Sequence, residues 1–170
     1  ETSLVARPFH PDEILAIRAR HTCPIVFVAL GMSAQFTQPV SVEGVEAHFY
    51  VTEGVPLTGS NVTVIPYSTL HTQDYVAAAD YVITKAGWGT VAECLLAQKP
   101  MALFARDSVL EDRTTIRLLE QKKLGIKVTY EQLTEMSDLL EQMKQITYPA
   151  VPEYHNAAAE IVSKLLTLTE

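Results

Sequence analysis

The residues best suited to bind a ligand lie near the middle of the chain. Residues 81–84 are apolar and β-branched enough for a buried strand, and the apolar spacing from Thr90 onward is that of a helix. Residues 85–89 therefore form the turn between them. Gly87 and Gly89 allow a positive φ angle and the close approach of a ligand, while the helix directs free N–H groups and its positive dipole end at that ligand. The pattern predicts a phosphate or sugar site.

Two other interpretations of this stretch stay open. Thr90 and Glu93 fit the capping box Thr-x-x-Glu, which would give Glu93 a purely structural role at the start of the helix. Gly87, Gly89 and Ala92 also match the dinucleotide-binding pattern Gly-x-Gly-x-x-Ala, with Asp107 about 20 residues further on. That pattern normally opens the first βα unit of its domain, whereas here several predicted strands precede it.

The surrounding elements place three turns at one edge of a sheet. Strands are predicted at residues 25–30, 47–52, 61–65, 81–84, 101–105 and 126–128, and helices at 11–20, 73–79, 90–98, 108–123, 129–145 and 153–168. This alternation predicts an α/β fold with a doubly wound, mostly parallel, Rossmann-like sheet, whose ligands bind outside the carboxyl ends of the strands. The turns at Gly31, at Pro66 and at residues 85–89 share that edge.

Several local signals accompany these elements. Ser108 with Glu111, and Thr129 with Gln132, have capping-box spacing. Arg106 and Asp107 follow a strand at the ligand edge, where they pair with each other or contact a sugar. The connection over residues 33–46 is short for a parallel crossover and contains proline and glycine, so we expect it to be irregular.

Composition limits the classes of function. The chain has 170 residues, 48% of them hydrophobic, which predicts one domain over residues 1–170. A formal net charge of −7 without a long basic run argues against nucleic acid or an anionic membrane surface as a partner. No apolar run approaches the ~18 residues of a membrane span. The start at Glu1 lacks an initiator methionine and a signal pattern, so we expect the boundary of a domain or of an expressed fragment there.

The residue patterns typical of disulfides, metal sites and nucleophilic catalysis are missing from the sequence. Cys23 and Cys94 have no paired spacing, so we expect buried free thiols in a reducing, cytoplasmic compartment. The five histidines are scattered without close His or Cys partners, which argues against a metal site, and the sequence calls for no cofactor. P-loop, Gly-x-Ser-x-Gly and Asp-x-Asp patterns are absent. Ser33 has no neighbouring base in sequence, which favours a turn-forming serine over a nucleophile.

Residues 79–93, followed by Lys99-Pro100 and Glu111-Asp112-Arg113, resemble the C-terminal, donor-binding domain of family 28 glycosyltransferases. Similar members are the GlcNAc transferase that forms lipid II and the plant-type monogalactosyldiacylglycerol synthases. The resemblance is sharpest over residues 62–128. It implies a UDP-sugar donor, held without a required metal in the cleft between the two Rossmann-like halves of a GT-B fold.

The resemblance also implies roles for individual residues. It implies that Glu93 binds the ribose hydroxyls and that the diphosphate lies beside Thr90 and the backbone of Gly87 and Gly89. The uracil would be flanked by residues 65–67. Asp112 and Arg113 fall where the family contacts the transferred sugar, but Thr114 and Thr115 stand where the lipid II enzyme has two glutamines. The substrate-binding residues predicted in all are Gly31, Ser33, Ile65, Tyr67, Lys85, Gly87, Trp88, Gly89, Thr90, Glu93, Arg106, Asp112 and Arg113.

The expected partner is an N-terminal, acceptor-binding half, because in the family the acceptor site and the general base come from that half. This chain has length for one half, so we expect it to be inactive alone, with no catalytic residue assigned and with any peripheral membrane association made through the other half. Two alternatives remain: a non-enzymatic nucleotide-sugar-binding or interaction domain that keeps the fold, and an NAD-binding oxidoreductase domain.

Overall fold

The computed structural model describes residues 2–30, 38–106 and 109–167. Within these ranges the chain forms ten strands and seven helices. The strands are β1 (Thr2–Leu4), β2 (Ile25–Ala29), β3 (Val40–Ser41), β4 (His48–Thr52), β5 (Leu57–Thr58), β6 (Val62–Ile65), β7 (Tyr81–Lys85), β8 (Met101–Phe104), β9 (Gly125–Val128) and β10 (Tyr154–Asn156). The helices are α1 (Pro11–Arg18), α2 (Thr72–Ala78), α3 (Trp88–Leu96), α4 (Leu110–Gln121), α5 (Tyr130–Thr134), α6 (Met136–Met143) and α7 (Ala158–Thr167).

Six parallel strands form the central sheet in the order β6-β4-β2-β7-β8-β9. Counted along the chain, this is the order 3-2-1-4-5-6 of a doubly wound fold, so the prediction of fold class is confirmed. The direction of winding reverses between β2 and β7, where Ala29 is in register with Thr84. In such sheets ligands bind in the crevice outside the carboxyl ends of the strands at this switch point.

Helices and a small sheet bury both faces of the central sheet. Along β2, Ile25 and Phe27 pack into one cluster with the inner faces of α1 to α4, whereas Val26 and Val28 pack into a second cluster with α6 and the β3-β5 pair. Because strands covered on both faces need apolar residues at every position, β2 is a continuous apolar run in the sequence.

The connection from β2 to β4 is irregular in its described part, as predicted. Residues 38–47 contain β3 and no helix, and β3 pairs in parallel with β5. The predicted turn with Gly31 and Ser33 lies outside the described residues, as do Asp107, Ser108 and Leu168.

The predictions for the last third of the chain were partly wrong. The capping box of Thr129 and Gln132 is present, but the helix predicted over residues 129–145 divides into α5 and α6 at Glu135. Helix α4 has Val109 as its N-cap, without a side-chain cap, and the predicted box begins at Ser108, outside the described residues.

The helix predicted over residues 153–168 begins later than expected. Its first residues form β10, which pairs with β1 in register Leu4 to Asn156. The side chain of Asn156 donates to the carbonyl oxygen of Ala6 (2.8 Å) and accepts from the backbone N–H of Ala158 (3.1 Å). Pairing between residues about 150 positions apart therefore outweighs a local helical pattern.

Two further features concern the cysteine thiols and the length of the helices. Cys94 is buried and free, and burial raises the pKa of its thiol, whereas Cys23 is exposed, so its predicted burial was wrong. In the described part of the chain, no helix has the length and apolar character needed to cross a membrane.

Candidate donor site at the sheet edge

Helix α3 begins at the switch point, directly after β7. Gly87 is its N-cap, and the first intrahelical bond runs from the Val91 N–H to the Gly87 oxygen at 3.2 Å. The N–H groups of Trp88, Gly89 and Thr90 precede that bond, and no acidic side chain lies in the first turn. The helix therefore presents a positive dipole end, with its first N–H groups, at the carboxyl edge of the sheet.

This start refutes the capping-box interpretation. Thr90 is the third residue of the helix rather than its N-cap, and Glu93 is the sixth. The Glu93 carboxylate instead bonds to Arg7, whose Nε lies 2.8 Å from Glu93 Oε1. With a side chain only 4% exposed, Glu93 is a buried carboxylate that the helix start does not explain.

The glycines contribute space rather than unusual backbone angles. Gly87 has φ −71° and Gly89 is helical, so the expectation of a positive φ at these positions was wrong. A Cβ built on Gly89 meets no atom within 4 Å apart from its chain neighbours and the backbone of its own helix, whereas one on Gly87 would lie 3.5 Å from Cε of Lys85. The first turn of α3 is therefore open at Gly89, where a ligand can approach the backbone.

Arg106 provides an anchored cation on the same edge, two residues after β8. Its Nε and Nη2 donate to Asp112 at 2.8 and 2.7 Å, and its backbone N–H donates to the same carboxylate at 3.0 Å. Asp112 is fully buried, and these hydrogen bonds from Arg106 lower the pKa of its carboxyl. Arg106 was expected to pair with Asp107 or to contact a sugar; Asp107 lies outside the described residues, and Asp112 is the partner that the structure describes.

Two further cations lie nearby. Lys85 ends β7 in register with Phe104, and the next residue, Ala86, donates its N–H to the Phe104 oxygen at 3.2 Å. The positive charge of Lys85 also contributes to the lowered pKa of Asp112. Arg113 is exposed in the first turn of α4. The turns after β7 and β8 thus bring three cations to one part of the edge, together with the acidic Glu111 and Asp112 of the first turn of α4.

The segment expected to flank a base is held by Glu53, a residue that no sequence pattern marked. The Glu53 N–H donates to the Ile65 oxygen at 2.9 Å, and its carboxylate accepts from the Tyr67 N–H at 3.1 Å. These two backbone groups are therefore occupied within the chain. The ring of Tyr67, which is 60% exposed, lies over Gly54, where a built Cβ would be 2.8 Å from the hydroxyl oxygen.

Arg7 connects the two parts of the edge. Strand β6 lies three strands away from β7, which is about 14 Å at the usual spacing. The Arg7 guanidinium bonds the Leu70 oxygen at 3.2 Å and the Thr72 hydroxyl at 3.0 Å while it holds Glu93. Glu93 therefore lies where the loop after β6 meets α3. Neither hydrophobic periodicity nor a known pattern marks Arg7 in the sequence.

Other features lie away from this edge. An open groove of about 780 Å³, lined by Cys23, Glu46 and Lys144 among others, lies at the amino-terminal ends of the strands. In a parallel sheet that is the opposite end from the switch-point crevice, so we do not assign the donor site to it. Among the described residues, no group of three or more His, Cys, Asp or Glu side chains is arranged to hold a metal ion.

Residues 26–168 match the glycosyltransferase family 28 C-terminal domain. The chain belongs to this family. The match includes α3 and the turns after β6, β7 and β8, and it leaves out the first 25 residues, among them Arg7. No curated protein sequence matches the chain.

Solved structures of glycosyltransferases share the fold. The chain is similar to the glycosyltransferase SnogD from Streptomyces nogalater, with 20% identity over 88% of this chain and 44% of that one and a TM-score of 0.58. It is also similar to Phytolacca americana UGT2 complexed with UDP-2fluoro-glucose and pterostilbene. Here the identity is 12% over 94% of this chain and 45% of that one, with a TM-score of 0.59. The glycosyltransferase VinC in complex with DTDP is similar as well, with 14% identity over 88% of this chain and 43% of that one and a TM-score of 0.58. The chain spans less than half the length of each, in agreement with one Rossmann-like half of a GT-B fold.

Proposed function

We propose that this domain is the donor-binding half of a glycosyltransferase and that its ligand is a UDP-sugar. The observation that carries the proposal is the start of α3. Its N–H groups and its open face at Gly89 lie at the switch point of a family 28 domain. Helix N-termini of this kind bind phosphate groups through backbone donors and the helix dipole.

The diphosphate of the donor is assigned to the N–H groups of Trp88, Gly89 and Thr90. Lys85, at the end of β7, and Arg106, which is paired with Asp112, would supply cations on the same edge. During transfer of the sugar, negative charge grows on the leaving nucleotide, and donors already fixed in place stabilise that charge without reorganising. This half would thus contribute electrostatic stabilisation of the leaving group.

The ribose is assigned to Glu93 and the base to the segment from Ile65 to Tyr67. A buried carboxylate that retains a free oxygen suits a pair of sugar hydroxyls, because charge-assisted hydrogen bonds are about twice as strong as neutral ones. Since Glu53 occupies the Ile65 oxygen and the Tyr67 N–H, the base would be held mainly by packing against Tyr67.

The transferred sugar is assigned to the start of α4. Both carboxylate oxygens of Asp112 bond to Arg106, so Asp112 would act by orienting Arg106 toward the donor rather than by contacting the sugar itself. Arg113 is exposed and would contact the sugar directly. This modifies the role that the resemblance implied for Asp112.

The acceptor and the general base would come from a second, N-terminal half. Less than half of each similar structure is covered by this chain, which supports such a partner. Any membrane-bound acceptor would be reached through that half. The donor site itself would need no metal.

Calorimetric titration with UDP and with NAD⁺, each with and without EDTA, tests the proposal. We expect binding of UDP alone, unchanged by EDTA. Binding of NAD⁺ in its place would refute the donor assignment, and silence toward both nucleotides would favour the alternative of an interaction domain that keeps only the fold.

Substitution of Glu93 tests the ribose contact. Glu93→Gln retains the size of the side chain but removes its charge, and we expect it to weaken UDP binding by more than about tenfold. Circular dichroism would verify that the variant is folded. An unchanged affinity in a folded variant would leave Glu93 with the structural task of pairing with Arg7.

A further inference from the structure

Arg7 reaches the candidate site from the segment before α1, outside the part of the chain that matches the family. Each nitrogen of its guanidinium has a different partner. Nε donates to Glu93 Oε1 at 2.8 Å, Nη1 to the Leu70 oxygen at 3.2 Å and Nη2 to the Thr72 hydroxyl at 3.0 Å. Because the guanidinium is rigid and planar, bonds to three separate places fix its orientation.

Glu93 depends on this contact. Its side chain is 4% exposed, and a buried carboxylate without a partner is strongly unfavourable. Within the described ranges, Arg7 is its hydrogen-bonding partner, through Oε1, and Oε2 has none. Oε2 is also not among the fully buried polar atoms that lack a partner, so a small part of its surface is accessible. One oxygen is thus fixed by Arg7 and the other remains available.

We infer that Arg7 is a positioning residue of the donor site: by holding Oε1 of Glu93, it orients Oε2 to accept a hydrogen bond from a ribose hydroxyl. This inference rests on the proposed function. Arg7 acts on the nucleotide through Glu93, so its effect is confined to the part of the binding energy that depends on the ribose hydroxyls. Without Arg7, the buried carboxylate loses its countercharge and turns toward water.

The inference predicts a change of selectivity rather than a uniform loss of affinity. The assay compares the dissociation constants of UDP and of its 2′,3′-dideoxy analogue, measured by calorimetry on the same protein. The wild type is expected to prefer UDP by about tenfold or more, the usual effect of losing a hydrogen bond to a charged group. In Arg7→Ala the preference is expected to fall to about threefold or less, while affinity for the dideoxy nucleotide stays within about twofold of wild type.

Two other results would overturn the inference. Equal weakening of both nucleotides would mean that Arg7 contacts the diphosphate directly. A lower melting temperature with the preference for UDP unchanged would mean that Arg7 only joins the N-terminal segment to the domain. Arg7→Lys separates charge from geometry, because its single nitrogen cannot reproduce the three-way fork. Lysine is expected to restore stability more than selectivity.

Arg18 provides a matched control. Its side chain is as exposed as that of Arg7, at 46% against 47%, and it also bonds a carboxylate, that of Asp80, and a carbonyl oxygen, that of Ala78. These contacts lie at the amino-terminal edge of the sheet. Arg18→Ala is expected to lower the melting temperature without changing the preference for UDP.

A second variant covers the case in which Arg7→Ala does not fold. Thr72→Val removes the acceptor of Nη2 and retains Arg7, so it is expected to reduce the preference for UDP in part. A wild type that binds neither nucleotide refutes the proposed function, and this inference with it. A wild type that prefers UDP, beside Arg7 and Thr72 variants that retain the full preference, refutes the inference alone.

Discussion

Substitution of Gly89 is expected to change stability and ligand binding in opposite directions. Gly89 is the second residue of α3, and a Cβ there meets no atom within 4 Å apart from its chain neighbours and the backbone of its own helix. Alanine in a helix is favoured over glycine by roughly 0.5–1 kcal/mol, partly because it restricts the unfolded chain. Near the first turn we expect about half of this gain, or about 0.25–0.5 kcal/mol, which raises the melting temperature by about 0.5–2 °C.

The same methyl group enters the space that the proposed diphosphate needs. Gly89→Ala would hinder the approach of a phosphate oxygen to the N–H groups of the first turn. Loss of one charge-assisted hydrogen bond corresponds to about 1.5–3 kcal/mol, or roughly 10-fold to 100-fold in Kd for UDP. Differential scanning fluorimetry gives the stability, and calorimetric titration with UDP gives the affinity.

Ser137→Ala is the matched control for this experiment. Ser137 is exposed and is also the second residue of its helix, α6, but it lies beside the groove at the amino-terminal edge of the sheet. It is expected to leave UDP binding unchanged. A Gly89→Ala protein that is more stable and binds UDP as tightly as wild type would refute the placement of the diphosphate at α3.

The remaining predictions concern stability and pH. Asp112→Ala removes the buried partner of a partly exposed Arg106, so we expect a loss of about 2 kcal/mol, measured by urea denaturation near neutral pH. Because Arg106 lowers the pKa of Asp112, this stabilisation is present above the unfolded pKa of the carboxyl and is lost as pH falls through the folded pKa. If Asp112→Ala lost the same free energy of unfolding relative to wild type at about pH 7 and at about pH 3, the ion pair would not be its cause. His21 and His48 stack with ring centroids 3.7 Å apart, and burial lowers the pKa of each below 6.5, with further lowering by the charge of Arg20 on His21 and of His21 on His48. The unfolded chain therefore binds more protons than the folded one below about pH 6.5, so stability should decline as pH falls through that range. The decline should be less steep in His48→Gln. Parallel declines of the urea midpoint in the wild type and in His48→Gln would show that the stacked histidines are not its cause.

The sequence by itself determined the sheet and its ligand edge. Each predicted strand of the central sheet is present to within one or two residues, because strands covered on both faces require uninterrupted apolar runs such as residues 25–30. The alternation with helices then fixes parallel strands with right-handed crossovers, and the turn at Gly87 has to lie at the carboxyl edge. The family, too, was recognisable from that turn and the residues after it.

Local patterns were less dependable where two interpretations were possible. Thr90 and Glu93 have capping-box spacing, yet α3 starts at Trp88, because the bond from Val91 to Gly87 extends the helix by two residues. At residues 154–156 pairing with β1 replaced the predicted helix. In both cases a tertiary or neighbouring backbone contact decided between local conformations of similar energy.

Only the tertiary structure decided the partners of the charged groups. Arg7 and Glu93 are 86 positions apart, and Glu53 and Tyr67 belong to neighbouring loops. Hydrophobic periodicity specifies which face of an element is buried, but an ion pair depends on where two side chains end in space, and burial makes that choice energetically important. The sequence thus determined the position of the candidate site, and the packed structure determined which of its charges are held and which remain available to a ligand.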